Sequence, residues 1–117
     1  MEVQIFGTRK SPDTRQALRF FAERRWKTHF VDLGERPMSA GELRHFTERF
    51  EVERLVDRDS RRYRELGLAA APQTGARWTE RLLAEPLLLR QPLVRARSRL
   101  SVGPAEAEWK EWVAQAE

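Results

Sequence analysis

A short polar loop near the start of the chain holds the residues best suited to chemistry. Ser11 offers a hydroxyl and Arg15 a permanent cation, and a helix is predicted to begin at Ser11, Pro12 or Asp13. Free backbone N–H groups and the helix dipole at such a position favour an anion. The loop is therefore a candidate anion pocket. The alternative is that Ser11 only caps the helix and Arg15 is a surface residue.

Other site chemistries find little support. The chain has no cysteine, which excludes a disulfide framework, a thiolate metal site and a catalytic thiol. His29 and His45 have no carboxylate at ligand spacing, so neither a metal site nor a cofactor is predicted. Ser11 could join a histidine and an aspartate in a triad, but the Gly-x-Ser-x-Gly elbow is missing. Serine hydrolysis is therefore not expected.

Charge is the most unusual feature of the composition. The 117 residues include 22 Lys and Arg against 18 Asp and Glu, a net charge of +4. Acidic residues are mixed among the basic ones, which favours ordinary surface charge. The densest basic cluster, called the insertion arginines below, consists of Arg54, Arg58, Arg61, Arg62 and Arg64. Interleaved carboxylates favour i,i+4 ion pairs on this face, and a partner-binding patch is the alternative.

Four tryptophans could stack on single-stranded nucleic acid, but they are spread over the predicted helical segments: Trp26, Trp78, Trp109 and Trp112. Trp109 and Trp112 are three residues apart, the spacing of a helix face that packs on a core. Core packing is predicted, and direct nucleic-acid binding is not. No apolar stretch is long enough to span a membrane, so no membrane association is expected.

The order of the predicted elements indicates an α/β fold. Residues 3–6 predict a strand, the segment up to Arg25 a helix, and residues 28–34 a second strand, which together make a βαβ unit. A helical insertion follows at about residues 38–88, opened by the capping box of Ser39 and Glu42.

The chain then returns to strands at residues 92–97 and 99–102, and ends in a helix at 105–116. A βαβ unit completed by ββα is the thioredoxin-like arrangement, with one mixed four-stranded sheet covered by helices. Residues 1–117 are predicted to form a single domain of this kind with the helical insertion inside it.

Three strings, in this order, resemble the family of glutaredoxin-dependent arsenate reductases and Spx regulators. Residues 5–15, Ile-Phe-Gly-Thr-Arg-Lys-Ser-Pro-Asp-Thr-Arg, are similar to its strand, polar loop and arginine. Residues 63–68 are similar to its Tyr-x-x-Leu-Gly-Leu string. Residues 88–94 and 99–103 are similar to its Leu-Ile-x-Arg-Pro-Ile/Val and Arg/Lys-Leu-x-Val-Gly strings, at the spacing of the Spx-like branch.

The departures from the family pattern fall on its reactive groups. Ser11 stands where the family has its nucleophilic cysteine, and Thr14 where the Spx-like branch has a second one. Gln91 replaces an arginine. Pro92 resembles the family's proline that faces the active loop, usually after a cis bond. The alternative is that Pro92 simply opens an edge strand.

Two further anion-binding arginines of the family are also replaced. One aligns with Asp57, although Arg58 is next to it, and the other with Gly103, as in the Spx-like branch. The resemblance therefore implies a vestigial pocket built by Ser11, Thr14, Arg15, Gln91 and Pro92.

The function implied is that of a non-catalytic binding or regulatory module in the cytoplasm. The resemblance to Spx suggests a protein partner, because those relatives bind RNA polymerase through the helical insertion. The alternative is an enzyme of reductase or glutathione-dependent type that uses an external thiol at the Ser11 pocket.

Overall fold

The computed structural model describes residues 1–71 and 73–116. Its strands and α-helices in chain order are β1 (Glu2–Gly7), α1 (Pro12–Glu23), β2 (Lys27–Asp32), α2 (Ala40–Thr47), α3 (Arg61–Glu65), α4 (Gly75–Ala84), β3 (Leu93–Ala96), β4 (Arg99–Val102) and α5 (Glu106–Ala116).

The chain divides into two compact units. The sheet unit consists of residues 1–32 and 91–116, and the helical unit of residues 33–90. The insertion predicted at about residues 38–88 lies within the range of the helical unit. Pro72, the last residue of a predicted connector at 69–72, lies outside the described residues. The prediction of a single domain stays a prediction.

One mixed sheet organises the sheet unit. Its strand order is β2-β1-β3-β4, with β1 and β2 parallel and the other two pairs antiparallel. Helix α1 connects the parallel strands β1 and β2, and α5 follows the antiparallel hairpin β3–β4 in the chain. The α/β arrangement of βαβ followed by ββα is therefore confirmed.

The core of the sheet unit lies between the sheet and its two helices. Apolar side chains alternate along β1, where Val3 and Ile5 are buried, because successive residues of a strand face opposite sides. Aromatic rings from α1 and α5 cover them. The rings of Phe21 and Trp109 have centroids 5.7 Å apart. The indole Nε1–H of Trp109 donates a 2.8 Å hydrogen bond to the buried Ser101 hydroxyl.

The junction between α1 and β2 differs from the prediction. The helix ends at Glu23, before Arg25, because Arg25 takes a left-handed conformation with φ of 60°. The N–H of Trp26 then donates back to the Phe21 carbonyl at 3.1 Å. Trp26 is therefore a buried residue that follows the turn, and it does not lie in a helical segment.

The third strand is also shorter than predicted, Leu93–Ala96 instead of 92–97. Pro92 has no N–H to give to the sheet, and Arg97 turns away with φ of 58°. The fourth strand has the predicted bounds.

The helical unit combines short α-helices with 3-10 turns at Val52–Leu55, Leu68–Ala70 and Pro86–Leu88. The capping box of Ser39 and Glu42 is present at the start of α2, as predicted. Residues Val52–Leu55 form only a 3-10 turn, because Val56 leaves it to form an antiparallel bridge with Leu89. Helix α4 begins at Gly75, since the hydroxyl of Thr74 caps it.

Candidate functional site

The loop between β1 and α1 places Ser11 at the helix N-terminus. The Ser11 N–H donates to the Thr8 carbonyl at 3.1 Å, which closes a tight turn. The Ser11 hydroxyl accepts a 3.2 Å hydrogen bond from the N–H of Thr14, and Pro12 opens the first turn of the helix. Ser11 is thus the N-cap of α1, and its hydroxyl satisfies one of the helix's free N–H groups.

The two arginines beside Ser11 are held by the loop and the sheet. The Nη1 of Arg15 donates to the backbone carbonyl of Arg9 at 2.6 Å. The Arg9 guanidinium lies over the ring of Phe30, 4.7 Å from its centroid. Both side chains remain exposed, so Arg15 is a surface residue that braces the loop.

The side chain of Gln91, two residues before β3, bonds to the same loop. Its Oε1 accepts hydrogen bonds from the Thr8 N–H at 2.7 Å and the Thr8 hydroxyl at 3.1 Å. The hydroxyl of the buried Thr14 donates to the same oxygen at 3.3 Å. One carboxamide oxygen thus joins the loop, α1 and the start of β3.

Gly7, the last residue of β1, allows this approach. A Cβ at Gly7 would collide with the side chain of Thr14, whose Cγ2 would be 2.8 Å away. Thr14 packs directly on the end of the strand because Gly7 leaves room for it.

The Gln91–Pro92 peptide bond is cis, as the resemblance to the arsenate reductases implied. Pro92 is buried, and its carbonyl accepts a 2.9 Å hydrogen bond from the N–H of Gly103. Gly103 has a φ of 73°, a conformation that favours glycine. Both residues therefore shape the backbone at the base of the hairpin.

The predicted site residues meet only in part. Gln91 contacts Thr14, and Thr14 contacts Ser11, whereas Arg15 bonds to the loop carbonyl. Sequence reasoning did not single out Thr8 as a site residue, although its N–H and hydroxyl both donate to Gln91. The one available signal was its place in the polar loop directly after Gly7.

The profile of the ArsC family matches residues 6–112, which is nearly the whole chain and includes every residue of this cluster. The chain belongs to the ArsC family. The match supports the resemblance, because it covers residues 6–15 of the first string and all of the others.

Solved structures similar to this ArsC-family chain share its fold. A protein named YffB superposes with a TM-score of 0.83 at 19% identity, over 93% of this chain and 96% of its own. An ArsC family related protein from Bacteroides fragilis gives 0.83 at 17% identity, over 95% and 97%. Arsenate reductase from Vibrio cholerae gives 0.81 at 19%, again over 95% and 97%. The thioredoxin-like fold is therefore confirmed. No curated protein matches the sequence significantly.

The two histidines of this ArsC-family chain lie on different elements. His29 is on β2, where its Nε2 is 3.3 Å from the Glu2 carboxylate, and His45 is on α2. In residues 1–71 and 73–116, no three His, Asp or Glu side chains are grouped closely enough to hold a metal ion.

The insertion arginines are engaged within the helical unit in several ways. Arg58 donates to the Tyr63 hydroxyl at 3.1 Å and lies near the ring of Trp78. Arg61 forms the predicted kind of i,i+4 ion pair, at 3.3 Å from Glu65. Asp57, at the place of a family arginine, accepts from the N–H of Asp59. Contacts within the helical unit therefore position the side chains of several insertion arginines.

Arg62 is the most firmly held of the insertion arginines. Its Nε and Nη2 donate to the two carboxylate oxygens of Glu85 at 2.8 and 2.9 Å. This hydrogen bonding lowers the pKa of Glu85 and raises that of Arg62. Its partner Glu85 was not among the carboxylates singled out in the sequence, since the two are 23 residues apart.

The tryptophans are buried, as predicted. All four tryptophans are buried, which confirms core packing over an exposed stacking surface. None of the helices in the described part of the chain has the length and apolar character needed to cross a membrane.

Proposed function

We propose that this chain is a non-catalytic member of the ArsC family, belongs to its Spx-like branch and acts as a binding or regulatory module in the cytoplasm. The observation that carries the proposal is Ser11. The resemblance places Ser11 where the family has its nucleophilic cysteine, its hydroxyl caps α1, and the chain contains no cysteine.

The chemistry of a hydroxyl supports a loss of reductase activity. The resemblance implies that family members attack arsenate with a cysteine thiolate. A serine hydroxyl is protonated at any physiological pH and cannot pass through thiol–disulfide exchange. The oxygen of the Ser11 hydroxyl also already accepts a hydrogen bond from the N–H of Thr14.

The Gln91 carboxamide supports the same conclusion. The N–H of Thr8, a donor in the loop where an oxyanion would be held, already donates to Gln91 at 2.7 Å. A neutral glutamine also brings no positive charge to the loop, unlike the arginine that family members have there. The loop therefore holds an oxyanion poorly.

A protein partner is proposed for the helical unit. Arg61 and Arg64 are exposed at the start and middle of α3, and charged side chains of this kind select acidic partners. The resemblance to Spx regulators makes RNA polymerase the first partner to test.

The second candidate function is an enzyme that borrows an external thiol. Three cationic residues lie within four positions of Ser11 in the sequence: Arg9, Lys10 and Arg15. Their positive charge would attract an anionic thiol such as glutathione. The thiol would then act in place of the missing cysteine.

An activity assay separates the two candidates. Arsenate reduction is measured with purified protein, glutathione, glutaredoxin and an NADPH-coupled regeneration system, beside a Ser11→Ala variant. No turnover above the protein-free background is expected. Turnover that scales with protein concentration would contradict the non-catalytic proposal, and its loss in Ser11→Ala would assign it to the external-thiol alternative.

A binding assay tests the partner. Purified RNA polymerase is titrated onto the immobilised chain, and Arg61→Glu with Arg64→Glu is compared with a control of equal charge change, Arg44→Glu with Arg49→Glu. We expect saturable binding that the first pair weakens at least tenfold and the control changes less than twofold. An absence of binding, or equal weakening by both pairs, would contradict this partner and surface. Arg62 is left unchanged because it forms hydrogen bonds with Glu85, and its replacement would therefore also disturb the structure of the helical unit.

A further inference from the structure

An open cleft of about 450 Å³ lies on the sheet unit at the Glu2 end of β1. Its polar walls come from three adjacent strands, where Gln4 is in register with His29 on one side and with Arg95 on the other. Arg97, two residues beyond Arg95, closes one side. Gly7 and the Ser11 loop are at the opposite end of the same strand, about 17 Å away at the usual rise per residue.

Two arginines in this cleft have side chains without a partner among the described residues. The guanidinium groups of Arg95 and Arg97 form no hydrogen bond or ion pair in residues 1–71 and 73–116, whereas the Arg95 backbone pairs with Gln4 and Leu100 in the sheet. Arg99, on the next strand of the same hairpin, instead donates twice to the Gln115 side chain at 3.2 and 3.0 Å. Arg95 is a half-buried residue beside this polar space, and an anion from solution would give its guanidinium a counter-charge.

Among the described residues of the cleft, the one carboxylate belongs to Glu2, and it already has cationic neighbours. Glu2 lies 3.7 Å from the ammonium of Lys27 and 3.3 Å from the imidazole of His29. These two neighbours, His29 first, lower the pKa of Glu2, so it stays ionised and paired. The cleft therefore keeps the uncompensated positive charge of Arg95 and Arg97.

We propose that this cleft binds a small phosphate-bearing molecule, with Arg95 and Arg97 holding the phosphate oxygens. Guanidinium groups present planar pairs of N–H donors that match phosphate oxygens, and two of them on one wall suit a diphosphate or a phosphate ester. The side chains of His29 and Gln4 flank the same space and supply further polar contacts.

The shape of the cleft favours a small molecule over a polymer. A volume of about 450 Å³ falls within the usual range of small-ligand pockets. Binding of single-stranded nucleic acid would call for exposed aromatic rings beside the cations, and the four tryptophans are buried instead. The proposal does not depend on the Ser11 loop or on the proposed function.

Titration calorimetry with inorganic pyrophosphate tests the site. The variants are Arg95→Gln and Arg97→Gln, and Arg99→Gln is the matched control because it removes the same charge from the same hairpin outside the cleft. We expect saturable binding to the unaltered chain, at least tenfold weaker binding in Arg95→Gln and Arg97→Gln, and less than a twofold change in Arg99→Gln.

Amide chemical shifts give a second measurement that does not depend on variants. Pyrophosphate should move the resonances of residues 2–4, 29 and 95–97 and leave those of residues 8–15 in place. If Arg95→Gln does not fold, the comparison rests on Arg97→Gln, because Arg97 lies on the exposed turn.

Several outcomes would overturn the proposal. They are an absence of saturable binding, equal weakening in all three variants, or shifts centred on the Ser11 loop. A decaglutamate peptide or a single-stranded oligonucleotide that binds the same residues at least tenfold more tightly would assign the cleft to a macromolecule instead.

Discussion

The carboxamide oxygen of Gln91 lies 2.7 Å from the amide nitrogen of Thr8, across 83 residues of sequence. This hydrogen bond ties the start of the β3–β4 hairpin to the loop that precedes α1. The same oxygen also accepts hydrogen bonds from the Thr8 and Thr14 hydroxyls. The Gln91 side chain therefore accepts three hydrogen bonds from this region.

Gln91→Ala should loosen this loop. The change leaves the half-buried Thr8 N–H without its acceptor, which should lower the free energy of unfolding by about 1–2 kcal/mol. Hydrogen exchange of the Thr8 amide should become at least tenfold faster, measured by NMR, with Gln16→Ala on α1 as the control. Unchanged exchange at Thr8 would show that another group satisfies this N–H.

Ser11→Cys should create a thiol with a pKa below the ordinary value of about 8.5. The helix dipole of α1 and the Thr14 N–H, which donates to the Ser11 hydroxyl, would both stabilise a thiolate there. Absorbance of the thiolate at varied pH gives the midpoint, and Ser98→Cys on the exposed β3–β4 turn is the control. Equal midpoints in the two variants would contradict this account of the loop.

Ser11→Cys should still fail to reduce arsenate. Gln91 and Asp57 stand where the resemblance places two anion-holding arginines, so the oxyanion lacks their positive charge. The glutaredoxin-coupled assay measures this directly. Efficient turnover by Ser11→Cys alone would show that these arginines are dispensable here.

Trp112→Ala should destabilise the sheet unit strongly. The Trp112 ring is buried on α5 and stacks on Phe21 at 6.4 Å between centroids, so its removal leaves a cavity that should cost about 3–5 kcal/mol. Lys110→Ala, on the exposed side of the same helix, should change stability by no more than about 0.5 kcal/mol. The comparison uses denaturant unfolding. A Trp112→Ala curve that overlays the unaltered one would mean that α5 is not packed as described.

Glu42→Gln should remove an acid-sensitive part of the stability of α2. Arg36 donates two 3.0 Å hydrogen bonds to the Glu42 carboxylate and, with the capping box, holds its pKa at about 2 instead of 4.5. A glutamine keeps the capping box but loses the charge, so about 1 kcal/mol should be lost at pH 7.

The pH dependence of that loss follows from the lowered pKa. Stability from a lowered carboxyl pKa is present above the unfolded value of 4.5 and disappears as pH falls toward 2. The difference between the unaltered chain and Glu42→Gln should therefore narrow over this interval in denaturant titrations. Glu48→Gln, exposed at the end of α2, is the control, and a difference that stays constant with pH would contradict the assigned cause.

Local sequence signals predicted most of the elements because they act within a few residues. The Ser39–Glu42 capping box and the alternation of β1 both depend on near neighbours. The early end of α1 was missed because a non-glycine residue, Arg25, takes the left-handed conformation there. No propensity rule marks an arginine for that role.

The candidate site shows the same division. Residue type and short spacing were enough to predict that Ser11 could cap a helix and to show that no thiol is present. The fold was needed to show that Gln91 bonds to Thr8, that Arg62 pairs with Glu85, and that Arg95 and Arg97 line one cleft. Those relationships join residues far apart in the chain or depend on strand register, and a side chain's hydrogen-bonding partner is set by what the fold brings within about 3 Å of it.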